Sequence, residues 1–190
     1  MNMMGSKGQI LLHSCCAPCS AAILEWLQNN DFQTTILFYN PNIYPAEEYF
    51  KRKEEIVKYA NALGIKIVDF DDENWEESHQ RWVDQLSYLS QEPERGKRCL
   101  ECFKIRLLKS AEYAAEHSIP IFTTTLASSR WKNLEQIIQA GRYAASMYPS
   151  VEFWEKNWRK GGLYERRNEL SKQFYNQKYC GCEYSMRYTL

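Results

Sequence analysis

All seven cysteines of this 190-residue chain fall in three tight groups. The first is HSCCAPCS, with Cys15, Cys16 and Cys19; the second is CLEC, with Cys99 and Cys102; the third is CGC, with Cys180 and Cys182. Thiols serve proteins as small apolar packing groups, as redox couples or as metal ligands. Packing explains a lone buried thiol but not seven gathered beside turns. Cys16 and Cys19 are three apart, so both project from the first turn of a helix that Pro18 is suited to open, while adjacent Cys15 points elsewhere. Cys99 and Cys102 repeat that spacing at a second helix start, where the helix dipole favours thiolate over thiol. Gly181 between the last pair lets the backbone turn tightly enough for both sulfurs to face inward. The expectation is that the fold gathers the three groups into one metal site.

The number of sulfurs constrains the metal. A cubane iron–sulfur cluster uses four thiolates, which leaves three for a second metal or for exposed redox thiols. Zinc in a four-cysteine site is the main competitor, because C-x-x-C is also zinc spacing, yet it leaves three sulfurs idle. Disulfide exchange shares the C-x-x-C spacing, but the surroundings do not otherwise follow a thioredoxin pattern. His13 lies in an apolar run and reads as a buried histidine rather than a ligand; His79 and His117 have no partner at ligand spacing. The six tryptophans, Trp26, Trp75, Trp82, Trp131, Trp154 and Trp158, read as core or surface-packing residues rather than as a base-stacking platform, although Trp131 and Trp158 stand in basic stretches where stacking on a nucleobase is plausible.

The elements that position these groups alternate. Gln9–His13 is a short apolar strand followed by a helix over Ala17–Gln28, and Thr34–Tyr39 is a second strand that ends at Asn40-Pro41-Asn42. A helix from about Pro45 stops at Gly64, and Ile65–Phe70 is the third strand. A helix over Trp75–Leu89 and the turn-like EPERGKR lead to a long helix over Cys99–His117. Pro120–Thr125 is a fourth strand, Asn133–Met147 a helix, Val151–Trp154 a fifth strand and Leu163–Tyr175 a last helix before the CGC tail. Alternating strands and helices imply an α/β fold, a single Rossmann-like domain over residues 9–190 with a mainly parallel sheet; residues 1–8 read as a flexible N-terminus. Ligands of such sheets collect beyond the strand carboxyl ends, and HSCCAPC, FYNPN, VDFDD and TTTLASS stand there.

A chain of this length buries a substantial core without disulfides, and an odd number of cysteines with no secretory leader points to reduced thiols in the cytoplasm. No apolar run approaches membrane length. Formal charge balances at 24 basic against 24 acidic residues, so no overall field favours nucleic acid. Locally the balance breaks: acids bunch between Asp69 and Glu77, Arg95, Lys97, Arg98, Lys104, Arg106 and Lys109 surround CLEC, and Lys156, Arg159, Lys160, Arg166 and Arg167 precede CGC. That distribution suits an anionic substrate, against the blander alternative of solvated helix faces. Neither G-x-G-x-x-G nor G-x-x-x-x-G-K-[ST] is present, so ATP and NAD are not expected. A sulfur transferase of related architecture needs such an ATP-binding turn; an iron–sulfur electron carrier or redox sensor needs no second iron.

HSCCAPCS, FYNPNIYPAEEY with Arg52 shortly after, EPERGKRCLECFKIRL, FTTTLASS followed by KN, NWRKGG and YCGCEYS occur in that order from about Leu11 to Arg187. Together they resemble the cobalamin-independent epoxyqueuosine reductases of the QueH family. The resemblance implies a Rossmann-like, HUP-like domain that holds a [4Fe–4S] cluster beside a mononuclear iron and reduces the epoxide of epoxyqueuosine, at the wobble position of tRNA, to the cyclopentene of queuosine. It implies metal ligation by Cys15, Cys16, Cys99, Cys102, Cys180 and Cys182. Cys19 stands where some relatives carry aspartate, which implies a seventh ligand that is sulfur here and oxygen there. Candidate substrate contacts are Tyr39, Asn40 and Asn42 at the second strand end, with Lys132, Arg159 and Lys160 for phosphate or base. An electron donor is required, and no membrane is.

Overall fold

The computed structural model describes residues 8–70 and 74–186. The expected flexible N-terminus, apart from Gly8, lies outside the described residues. Strand β1 spans Gly8–His13 and its Ile10, Leu11 and Leu12 are all fully buried. Successive strand residues face opposite sides of a sheet, so burial of three in a row means that both faces are covered, as a parallel sheet requires. The sheet is parallel throughout: β1 lies between β2 (Phe32–Phe38) and β4 (Ile121–Thr124), with β3 (Lys66–Asp69) and β5 (Glu152–Phe153) on the edges. The order is β3-β2-β1-β4-β5. Chain direction across the sheet therefore reverses between β1 and β4, where doubly wound sheets open their ligand crevice.

Helix α1 (Ala17–Asn29) follows the cysteine turn, with Cys16 as its extended N-cap and Pro18 in its first turn. It packs on β2 and on α6 (Leu163–Leu170), and α4 (Lys97–Glu116) packs on β1, β4 and α5 (Leu134–Met147). Helix α2 (Ala46–Ala62) adjoins β3, and Gly64 leaves it at φ 65°, the left-handed turn that glycine takes without a Cβ clash. Helix α3 (Trp75–Leu86) runs on into a 3-10 turn over Ser87–Leu89. The main core joins Ile10–Leu12, Ile23, Leu24 and Leu27 with Phe122, Leu107, Ile137 and Phe153.

The sequence places the last long helix over Leu163–Tyr175, whereas α6 stops at Leu170. After a 3-10 turn, Phe174 takes an extended conformation and sets its ring edge-on to Tyr59, 5.0 Å between centroids, and the Tyr175 N–H donates to Glu55 Oε1 at 2.5 Å. These contacts draw the chain off the helix axis. It then crosses α2 and enters the one-turn helix α7 (Glu183–Met186).

Candidate metal centre and substrate cavity

The cysteine turn is built where β1 ends. The Ser14 N–H donates to Leu37 O, and its carbonyl accepts from Asn40 Nδ2 at 2.9 Å. Asn40 Oδ1 in turn accepts from buried Arg106 of α4. Thr125, just past β4, accepts the Cys15 N–H at 3.1 Å and donates its hydroxyl to Cys15 Sγ at 3.3 Å. Ser20 and Ser128 donate to the Cys16 and Cys19 carbonyls at 2.7 and 3.4 Å. Neighbouring strand ends thus clamp this turn from both sides. Inside it Cys15 does not point elsewhere, as the spacing suggests, because Cys16 is an extended N-cap: Cys15 Sγ and Cys16 Sγ are 3.7 Å apart, and the sulfurs of Cys15, Cys16 and Cys19 all lie within 4.8 Å of one another, in the interior.

The second group forms at the start of α4. Gly96 precedes the helix, and Glu92 Oε2 accepts the Lys97 N–H at 2.9 Å. Buried Arg98 donates to the carbonyls of Leu89, Ser90 and Glu92, and its guanidinium lies over the Tyr184 ring at 4.3 Å. Tyr184, Cys102, Trp82 and Leu86 form one packed cluster with Cys182 against it. The C-terminal arm is also tied to α2: Tyr44 N–H donates to Gly181 O at 2.8 Å, Arg52 donates to the carbonyls of Cys180 and Tyr179, and Tyr175 hydroxyl donates to Glu48. All seven thiols are free of disulfides.

Electrostatics separates the sulfurs. In the triad, Cys16 is pushed well above the ordinary thiol range by its hydrogen bonds with Cys15 and Cys19 and by burial. Cys19 is held well below that range, because Cys15 and Cys16 donate to it and Arg167 and Lys132 add positive charge; Arg167 Nη2 is 3.6 Å from its sulfur. Burial pushes Cys99 to about 11 and Cys102 to about 12. Lys132 is partly buried, which alone would lower it, but the neighbouring sulfurs of Cys180, Cys15 and Cys19 outweigh this and raise its pKa. The buried Cys15–Cys16–Cys19 triad, faced by Arg167 and Lys132, offers the sulfur donors of a thiolate-bound iron centre. The residues present fit such a centre.

Beside the sulfurs opens a cavity of about 490 Å³, within the range of small-ligand sites. Pro18, Lys132, Arg167, Tyr179 and Cys180 line it, as do Arg95 and Trp131. Among the substrate candidates, Lys132 lines this cavity and Arg159 lines a neighbouring cleft with Arg130 and Tyr164. Lys160 is exposed and lines neither. Tyr39 gives its carbonyl to His13 Nε2 and its ring to Phe70, while Asn40 and Asn42 are buried. Trp158, read from sequence as a possible stacking residue, is instead 1% exposed and donates Nε1–H to the Thr123 hydroxyl. Several cations near the cysteine motifs are surface pairs: Lys104 with Glu101, Lys109 with Glu112 and Arg166 with Glu25. Arg95 belongs to the basic cluster around CLEC, but its place on the cavity has no local signal, because Trp131, whose carbonyl it holds, is 36 residues away.

A family model described as "Epoxyqueuosine reductase QueH" matches residues 10–188. The chain belongs to the QueH family. A relative from Histophilus somni named epoxyqueuosine reductase QueH is 47% identical over 95% of this chain and 73% of its own length. A Haemophilus influenzae QueH is likewise 47% identical over 98% and 75%, and one from Thermotoga maritima is 36% identical over 94% and 91%. Among solved structures, the U34-tRNA thiolase NcsA from Methanococcus maripaludis with its [4Fe-4S] cluster is similar, with a TM-score of 0.59 and 16% identity. That match covers 96% of this chain and spans 62% of the thiolase, and it bears on the fold: the QueH chain shares its Rossmann-like α/β architecture. No helix among the described residues is long and apolar enough to cross a membrane.

Proposed function

We propose that this chain is an epoxyqueuosine reductase that acts on tRNA carrying epoxyqueuosine at the wobble position and works in the cytoplasm, where tRNA is modified. The observation that carries the reading is the buried Cys15–Cys16–Cys19 triad at the β1/β4 switch point, together with a cavity of small-ligand size that Cys180 lines. The reaction takes two electrons and two protons, removes the epoxide oxygen as water and leaves an alkene. The electrons come from an external donor.

Cys15, Cys16, Cys19, Cys99, Cys102, Cys180 and Cys182 would hold a [4Fe–4S] cluster and a single iron between them. When bound, these groups supply one-electron reduction and Lewis acidity. The chain supplies the rest. Thr125, Ser20 and Ser128 fix the cysteine turn so that its sulfurs need not reorganise. Arg167 and Lys132 compensate thiolate charge and draw an anionic substrate toward the cavity. Tyr179, raised to about 12 chiefly by burial, keeps its proton at neutral pH, and Lys132 stays an ammonium. Both thus hold protons on the cavity wall.

Anaerobically reconstituted protein with a chemical reductant should convert epoxyqueuosine-containing tRNA to queuosine-containing tRNA, read as loss of one oxygen atom from the nucleoside. About five iron and four sulfide per chain should accompany activity. No conversion by protein of verified metal content would sink the assignment. About one zinc and no sulfide, in protein never exposed to air, would favour a zinc protein instead.

A further inference from the structure

We infer that Trp131 is a stacking platform for an unpaired base of an RNA loop whose neighbouring nucleotide enters the cavity beside Cys180. The inference rests on the tRNA reading above and names how the loop is held. Five of the six tryptophans are packed into aromatic groups: Trp26, Trp154 and Trp158 contact one another, and Trp75 and Trp82 stack on His79. Trp131 makes no ring contact of this kind among the described residues and is 76% exposed. An indole left in water forgoes the burial of a large apolar surface. Its position tells what could cover it.

The backbone under that ring is fixed. Arg95 Nε–H donates to the Trp131 carbonyl at 2.8 Å, and Arg159 Nη2–H donates to the Lys132 carbonyl at 2.9 Å. Arg95 itself sits at φ 67°, a left-handed conformation uncommon outside glycine. It is held there by Gln136 Nε2, which donates to its carbonyl at 2.8 Å, while its own N–H points to Cys99 Sγ at 3.2 Å. One residue therefore ties the tryptophan loop to a sulfur of the metal centre. The ring is free on a tethered backbone.

The surroundings select the partner. Arg95, Lys132, Arg167 and Lys178 line the cavity against a single carboxylate, Glu94, and Arg130 and Arg159 line the cleft next to it against Glu165. A protein-docking patch would put further apolar side chains at its centre and deplete charge there. An exposed indole among cations, with Tyr179 on the same cavity, is instead the arrangement that binds single-stranded nucleic acid, bases on the ring and phosphates on the cations. A duplex hides its base faces, so the partner is an unpaired loop.

The test uses anaerobic holo-protein without reductant and a labelled anticodon stem-loop carrying epoxyqueuosine, with affinity read by fluorescence anisotropy across a salt series. W131A should weaken binding about tenfold or more, the effect of losing one base stack, and W131F should stay within about threefold of wild type. The dependence of log affinity on log salt should not change, because no phosphate contact is lost. Iron content and cluster absorbance should be unchanged in both variants. Wild-type affinity in W131A would overturn the stacking role alone, as would a loss shared equally by W131F or accompanied by lost iron. Failure of the wild-type holo-protein to bind the stem-loop would overturn the tRNA reading and the stacking role with it.

Discussion

The Arg52 guanidinium donates through Nη1 to the main-chain carbonyl of Cys180 at 3.3 Å, joining residues 128 apart in sequence. Its Nη2 reaches the Tyr179 carbonyl and its Nε pairs with Glu48 at 2.6 Å, with both Arg52 and Glu48 buried. Arg52→Ala would leave the Glu48 carboxylate without its cation and release both carbonyls of the C-terminal arm. Breaking a buried pair in this way costs about 3–5 kcal/mol. Urea unfolding should show the loss, and iron per chain should fall, because Cys180 and Cys182 ride on the released arm. Arg52→Lys keeps the charge but not the planar fork, so it should fall between. Full iron content in Arg52→Ala would refute the tether.

Gly181 lies on the other side of that contact. It adopts φ 125°, and a Cβ there would stand 2.9 Å from Arg52 Nη1 and 3.3 Å from Ile43 Cγ1. Gly181→Ala should destabilise by about 1–3 kcal/mol through overpacking, with backbone strain added. Gly161 at φ 67° is the control, because a Cβ there meets nothing within 4 Å. Gly161→Ala should cost only about 1–2 kcal/mol, the strain of a left-handed residue. Thermal unfolding of the two variants separates clash from strain, and equal losses would show that Arg52 yields.

Much of this was legible in the sequence, and the physical reason for the remainder is distance. The five strands announce themselves as short apolar or β-branched runs ended by turn residues, and the cysteine spacings mark their own chemistry. Strand order, by contrast, depends on pairings such as Leu12 with Thr123, which no local pattern encodes. Trp131 and Trp158 read alike because both stand among basic residues; only the fold buries one and exposes the other. The early end of α6 has the same origin, since Tyr59 and Glu55 lie far upstream of the residues they recruit.

His13 should make stability depend on pH. Its Nδ1 accepts from the Thr124 hydroxyl at 2.9 Å and its Nε2–H donates to Tyr39 O at 3.1 Å, a pattern that needs the neutral ring. Burial first, then the positive charge of Arg106, holds its pKa well below 6.5. The unfolded chain therefore takes up this proton before the folded one does. Stability is unaffected by this group above about pH 6.5 and falls below it, by up to about 1.4 kcal/mol per pH unit. Urea midpoints of wild type and His13→Asn, measured together from about pH 7.5 to 5.5, should show the shallower fall in the variant. Parallel curves would mean that the acid loss lies elsewhere.

Cys19 offers the sharpest test of the donor set, because it separates charge from sulfur. It is the triad thiol with the lowest pKa, stabilised first by hydrogen bonds from Cys15 and Cys16 and then by Arg167 and Lys132. An aspartate there would keep an anionic donor facing the same arginine, whereas alanine would leave the Arg167 charge beside a gap. Iron accepts oxygen or sulfur donors, and a thiolate makes it softer. Cys19→Asp should therefore retain the wild-type iron count, with a changed Mössbauer signal for one iron and measurable conversion of epoxyqueuosine in tRNA. Cys19→Ala should lose about one iron per chain while keeping about four sulfides. Loss of a ligand's supporting contacts alone costs about 10–100-fold in affinity or activity, so loss of the ligand itself should cost at least that. Equal iron content in the two variants would remove Cys19 from the metal ligands and leave Arg167 pairing with a thiolate that binds nothing.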